Sequence, residues 1–370
     1  MKRLVWMLVL LVMAVPTWAA NKKISVQQLN DLLVSMQQRK KTDAEIANQL
    51  KEIDLSEELT ATTMSNLLFA APGPLTSEQI NVLGVRSSML VPPPSDLPGL
   101  PTPDVATQKA IADKAIDVAV KSNQQSPHLT AHKAISRYGH RNEFSNWGHW
   151  EGGGSWEGGV TRESGNRSIM YLTSKFTETV DLNQGAERVS ASSDDPRLRR
   201  LIPTPEGGTR PSLSQILRQA SESGNIHWLR WETIGGDKTA VFSFAVDKKK
   251  SIYGVDYCCF ITYGNNGHEW KPFKKTVGYH GEFFIEPDTG NTLRIVMQAE
   301  FASTDFVEQE DTRIDYGTAT IDGNVYVVPV SFYTHSDVDS SGDSFRGYID
   351  RRTFLVGSYG NYRLAGSSHK

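Results

Sequence analysis

Residues Gly278 to Phe332 constrain the fold more than any other stretch, because they read as two β-hairpins joined end to end. The first, GYHGEFFIEPDTGNTLRIVMQAEF, sets Pro287-Asp288-Thr289-Gly290 between two strand-like runs. The second, DYGTATIDGNVYVVPVSF, sets Asp322-Gly323 between two more. Both insertions supply the positive φ that tight hairpin turns need. Along Leu293, Ile295, Met297, Ala299 and Phe301 every second side chain is apolar, so one strand face is buried or lines a groove. Leu293, Ile295, Met297 and Phe301 are therefore the candidate ligand-binding face.

The first residues carry an export pattern. Lys2 and Arg3 precede an uncharged apolar run from Leu4 to Val15, and Thr17 and Ala19 stand where a cleavage site needs small residues. Residues 1–19 read as a signal peptide, too short for a comfortable span of roughly 20 residues. The alternative is an uncleaved anchor. No cysteine lies near the cleavage site to carry a lipid. The expected compartment is periplasmic or extracellular, with a mature chain that is soluble.

The formal net charge is −3, and losing Lys2 and Arg3 takes it to −3 − 2 = −5. That balance argues against nucleic acid, whose phosphates require a basic face. The two cysteines, Cys258 and Cys259, are adjacent, so a conventional disulfide framework is impossible. In a strand they point to opposite faces, one thiol buried and one partly exposed. A strained vicinal disulfide is the alternative. The pair alone makes no tetrahedral metal site.

Residues 20–90 read as a helical region. Ile24, Val26, Leu29, Leu32, Leu33 and Met36 recur at helical spacing, Thr42 with Glu45 forms a capping box, and Thr76 with Gln79 repeats it. The segment 91–103, VPPPSDLPGLPTP, is a stiff proline-rich linker. From 104 to 370 the pattern is α+β. Asp104 caps a helix whose buried side includes Val105, Ile111, Ala115 and Val118, and Ser212 opens a second helix. Between them lie strands and a flexible Gly/Trp-rich insertion at 144–159, in which Trp147, Trp150 and Trp156 could contact a partner or membrane surface. The expected fold is an N-terminal helical region followed by a curved, half-barrel-like antiparallel sheet packed on helices.

VDYCCF, the double hairpin, NYRLAGSS, TDAEIANQLKEIDLSEELT and the MLVPPPSDLPGLPTPDVATQK connector together resemble an uncharacterised family of exported, acidobacterial-type proteins. The C-terminal half is more distantly similar to the half-barrel of periplasmic lipoprotein carriers and RseB-type envelope sensors. That resemblance implies a curved sheet around helices with an apolar concavity for acyl chains. It transfers no residue-level site.

Other candidates are weaker. His128 and His132 in a strand are about 13 Å apart, too far to share one metal, and they read as surface histidines with His140 and His149. His280 and Glu282 share a strand face and form a possible polar pair, first structural and only remotely the acid-base pair of a hydrolase. Asp337, Asp339 and Ser341 match the first half of a calcium loop, but Tyr348 stands where a bidentate glutamate belongs. A solvated turn is the default there. No GxSxG, HExxH, P-loop or dinucleotide fingerprint occurs. The reading is a non-enzymatic envelope protein without cofactor, binding an apolar ligand, lipoprotein or partner protein through its sheet. The alternative is a structural protein with a filled sheet core that docks a partner through its helical region.

Overall fold

The computed structural model describes residues 22–141, 169–194, 211–264, 267–338 and 352–366. The chain divides into two compact units, 1–87 and 88–370.

In the first unit β1 (Lys22–Ile24) pairs in parallel with β2 (Ile53–Leu55). Between them run α1 (Val26–Gln38) and α2 (Asp43–Leu50), and α3 (Ala61–Ala70) and α4 (Pro74–Ser87) follow. Three-residue strands are too short to show alternation, which is why this region reads as helix alone. Ser25 with Gln28 and Thr42 with Glu45 form reciprocal capping boxes. Thr76 with Gln79 does not. Thr76 lies inside α4, whose first turn is capped from a distance by Asp43: its carboxylate accepts the amides of Leu75 at 3.0 Å and Thr76 at 2.9 Å. Leu29, Ile46, Leu50, Ile80 and Leu83 fill the core.

The second unit opens with the proline-rich connector, which makes one 3-10 turn at Pro94–Asp96. Asp104 then caps α5 (Val105–Gln125), accepting the Thr107 amide at 2.8 Å. Ile111, Ala112, Ala115 and Ala119 form the buried stripe of α5. Val105, expected on that side, is 79% exposed because it occupies the first turn, before the helix meets the sheet. The second helix, α6 (Leu213–Ser223), is capped by Ser212 with Gln215 and ends at Gly224, whose φ of 69° fits the left-handed position past a helix end.

The strands are β3 (Leu129–Arg141), β4 (Ile169–Asn183), β5 (Ala186–Ser192), β6 (Ile226–Ile234), β7 (Asp237–Val246), β8 (Gly254–Gly264), β9 (Gly267–Thr276), β10 (Gly278–Ile285), β11 (Thr292–Glu300), β12 (Val307–Ile321), β13 (Asn324–Val338) and β14 (Arg352–Leu364). Ten of them form one open antiparallel sheet in the order β5-β4-β3-β14-β13-β12-β11-β10-β7-β6. β8 and β9 make a separate hairpin inserted between β7 and β10. The double hairpin is present as expected. β10 pairs with β11 across a turn in which Gly290 has φ 80°, and β12 pairs with β13 across Asp322 and Gly323, at φ 49° and 82°. Positive φ at both central residues is the requirement of a type I′ turn, matched to the twist of the strands.

One face of the sheet, the inner face, packs on α5 and α6. Leu129, Ala131 and Ile135 of β3, Phe176 and Val180 of β4, Phe283 of β10 and Phe332 of β13 join Ala115, Ala119, Ile216 and Leu217 in a single core. Tyr279 ties β10 to α6 by donating to Gln219 Oε1 at 2.7 Å, and burial raises its phenol pKa. The result is an α+β fold in which a curved sheet that does not close into a barrel covers, among the described residues, the helices α5 and α6.

Candidate functional site

The core is incompletely filled where the C-terminal half of α5, the start of α6 and the inner face come together. There a partly enclosed cavity of about 130 Å³ opens. Val118, Ala119, Ser122 and Asn123 face it from α5, at positions that recur on one side of a helix, and Ser126 follows at its C-cap. The sheet contributes Leu129, Leu182, Ile314, Val328 and Tyr359. Pro211 to Ser214 close it at the start of α6, and Asn291 and Thr292 at the start of β11. Short side chains on α5, above all Ala119, leave the space.

The local shape of β12 and β13 also matters. Their register shifts between Asp315 and Tyr316, so that Tyr316 opposes Pro329. Such a bulge tolerates a proline inside a sheet and turns Tyr316, Val327, Val328 and Pro329 together toward the cavity. Tyr362 donates its hydroxyl to the Pro329 carbonyl. Burial, then the nearby Glu187 charge, raises the Tyr362 pKa.

Charge enters the wall through Glu187, and it is held on both oxygens. Lys133 Nζ binds Oε1 at 2.8 Å, and the Tyr359 hydroxyl donates to Oε2 at 2.6 Å. Lys133 is buried and lies 4.2 Å from the centre of the Phe332 ring. A buried ammonium with a carboxylate and two aromatic faces is a satisfied cation. Farther along the inner face Arg137 pairs with Asp194, both buried, and stacks over Phe176. Sequence patterning missed these charges, because Lys133 and Arg137 alternate with apolar residues on an otherwise buried strand face.

The sequence-derived candidates fall elsewhere. Ile295 and Met297 are fully buried in the filled core, Phe301 packs against it, and Leu293 is partly exposed. None of the four lines the cavity. His280 and Glu282 do not pair with each other. His280 Nδ1 lies 3.2 Å from Glu300, whereas Glu282 takes a two-pronged contact from Arg230 at 2.7 and 3.1 Å. Arg230 also binds Glu232, which makes the group a charge cluster on the outer face. Cys258 and Cys259 lie on β8, with side chains outside the described residues. Trp147, Trp150, Trp156, Asp339 and Ser341 also lie outside them, and Asp337 is engaged by Arg352 at 2.9 Å. Among the described residues no cluster of three or more His, Cys, Asp or Glu could hold a metal.

No family model matches the chain, and no curated protein matches it. Two solved structures do, each over 70% of this chain and 95% of theirs. A DUF1329 family protein from Desulfovibrio piger has 10% identity and a TM-score of 0.30. A structure described as an outer membrane lipoprotein-sorting protein domain, from Vibrio parahaemolyticus, has 9% identity and a TM-score of 0.28. The likeness to a lipoprotein-carrier-type domain is thus distant, and at these scores it carries no weight for function.

Proposed function

We propose that the chain is an exported, non-enzymatic envelope protein that binds a ligand by burying its small apolar part between α5, α6 and the sheet. The cavity carries this reading. Its walls combine Ala119, Leu129, Leu182, Ile314 and Val328 with a few polar groups, the composition expected of a small-molecule site. Export rests on Lys2, Arg3, the Leu4–Val15 run and Ala19. Among the described residues no helix is long and apolar enough to cross a membrane.

Volume limits the ligand. An apolar cavity of about 150 Å³ takes up one benzene, so about 130 Å³ holds a single ring or a few methylenes. A lipid or lipoprotein partner would insert only the end of an acyl chain. Ligand-observed NMR with hexanol tests this, comparing the parent chain with Ala119→Phe. Binding by the parent and loss in the variant is the expected result. A parent chain that takes up no hexanol would refute the reading.

A second reading rests on Phe69, which is 95% exposed on α3. An aromatic left in solvent on the helical unit supports docking of an envelope partner protein there. Crosslinking and pulldown from envelope extracts, with the parent and Phe69→Ser, checks it, and identical capture by both would count against it.

A further inference from the structure

The cavity offers a ligand no free charge. No lysine, arginine or histidine is among the described residues that line it. Glu187 is the one acidic side chain among them, and both of its oxygens are taken, by Lys133 and by the Tyr359 hydroxyl. An ion entering this space would leave water without meeting a counter-charge. That transfer costs an isolated ion far more than it costs a hydroxyl or an amide.

Polar groups that a ligand can reach stand together on α5. Ser122 and Asn123 follow Val118 and Ala119 by one helical turn, so the apolar strip that faces the cavity continues as a polar one. Both residues are half-buried, and neither side chain has a hydrogen-bond partner among the described residues. Their polar atoms keep contact with solvent, so a ligand can take the place of water on them. Gly185, in the turn between β4 and β5, locates the carboxamide. Its φ is 74°, and a β-carbon there would lie 3.0 Å from Asn123 Oδ1 and 2.8 Å from Ser212 Cβ. All three residues line the cavity, which puts the Asn123 oxygen in its wall, against that turn. A carboxamide beside a hydroxyl presents donors and acceptors at once. The group that matches such a pair is a neutral one that can itself donate and accept.

We infer that the cavity selects an uncharged ligand, a single-ring or short-chain compound with one hydroxyl or amide group. Its apolar part lies against Ala119, Ile314 and Val328, and its polar group bonds Asn123 and Ser122. The inference rests on the proposed use of the cavity as a ligand site and adds the charge and the head group of what it takes.

Calorimetric titration of the mature chain with toluene, benzyl alcohol, benzoate and benzylammonium separates the two ideas. Benzyl alcohol is expected to bind at least about tenfold more tightly than either ion. Asn123→Leu, which keeps the size of the side chain, should weaken benzyl alcohol about fivefold and leave toluene unchanged. Ser122→Ala should act in the same sense, by about twofold. Either ion binding as tightly as the alcohol would overturn the selection for neutral ligands. An alcohol-to-toluene ratio that neither substitution alters would overturn the head-group assignment, while toluene uptake leaves cavity binding standing. If Asn123→Leu loses toluene as well, the ratio in Ser122→Ala decides. Failure of all four probes with the parent chain would overturn both ideas.

Discussion

Tyr359 on β14 donates its hydroxyl to Glu187 on β5 at 2.6 Å, across the two strands that separate them in the sheet. In a flat sheet those strands would lie about 14 Å apart, beyond the reach of the two side chains. The bond therefore depends on the sheet coiling over its inner face, and Lys133, on the intervening β3, completes the bridge. Tyr359→Phe is expected to cost about 2 kcal/mol, the usual magnitude for a bond to a charged group. Urea unfolding at neutral pH measures it, and a change below a few tenths of a kcal/mol would mean that Lys133 alone holds Glu187.

Gly357 predicts a larger loss. A methyl group there would collide with the Phe332 ring and with the Ala134 carbonyl oxygen. Phe332 lies flat across β14 only because that position lacks a side chain. Gly357→Ala should destabilise by about 3 kcal/mol, as overpacking of a tight core does. Adding Phe332→Leu should recover part of the loss, because the backbone contact persists. Full additivity of the two changes in denaturant unfolding would contradict this geometry.

An indole fastens the connector to the sheet. Trp231 Nε1 donates to the Pro101 carbonyl at 2.8 Å while its ring packs edge-on to Trp228. Trp231→Phe keeps much of the ring packing and removes the donor, for a loss of about 1 kcal/mol. Faster cleavage within 91–103 under limited proteolysis is the expected sign. An unchanged cleavage rate would show that the prolines alone protect the segment.

Acid should loosen the helical unit. The Thr76 hydroxyl, with the amides of Thr76 and Leu75, holds the Asp43 pKa below its ordinary 3.8. Lys41 and the Thr42 amide lower Glu45 from 4.5 to about 2. Both carboxyls have depressed folded pKa values, so their contribution is complete above the unfolded values and is lost as pH falls through the folded ones. Protection of the α2 and α4 amides, measured against the intrinsic exchange rate at each pH, should therefore fall between pH about 4.5 and about 2. The Asp43→Asn and Glu45→Gln chain should show a flatter dependence. A profile that these substitutions leave unchanged would assign the acid sensitivity elsewhere.

How much was legible in the sequence follows the range of the interactions. The Pro287–Gly290 and Asp322–Gly323 turns and the Thr42 and Ser212 caps are decided within a few residues, and the structure has them where the residues demand. Thr76 with Gln79 has the same local spelling, yet α4 is capped by Asp43, more than thirty residues earlier. No local pattern encodes that. The cavity is assembled from seven strands or strand ends and two helices, so alternation pointed instead to Ile295 and Met297, where the periodic face is simply core. The pairing of Lys133 with Glu187 and of Arg137 with Asp194 is likewise invisible to a one-dimensional pattern, because the partners lie more than fifty residues away.

The place of β14 has a consequence for how the molecule is made. It lies between β13 and β3, with six strands of the sheet on one side and three on the other. The first three strands of the sheet therefore cannot join the rest until the last one has been synthesised. Until then the nascent chain carries two half-sheets with open edges, both able to pair wrongly. Such a late keystone delays the compact state until the end of synthesis.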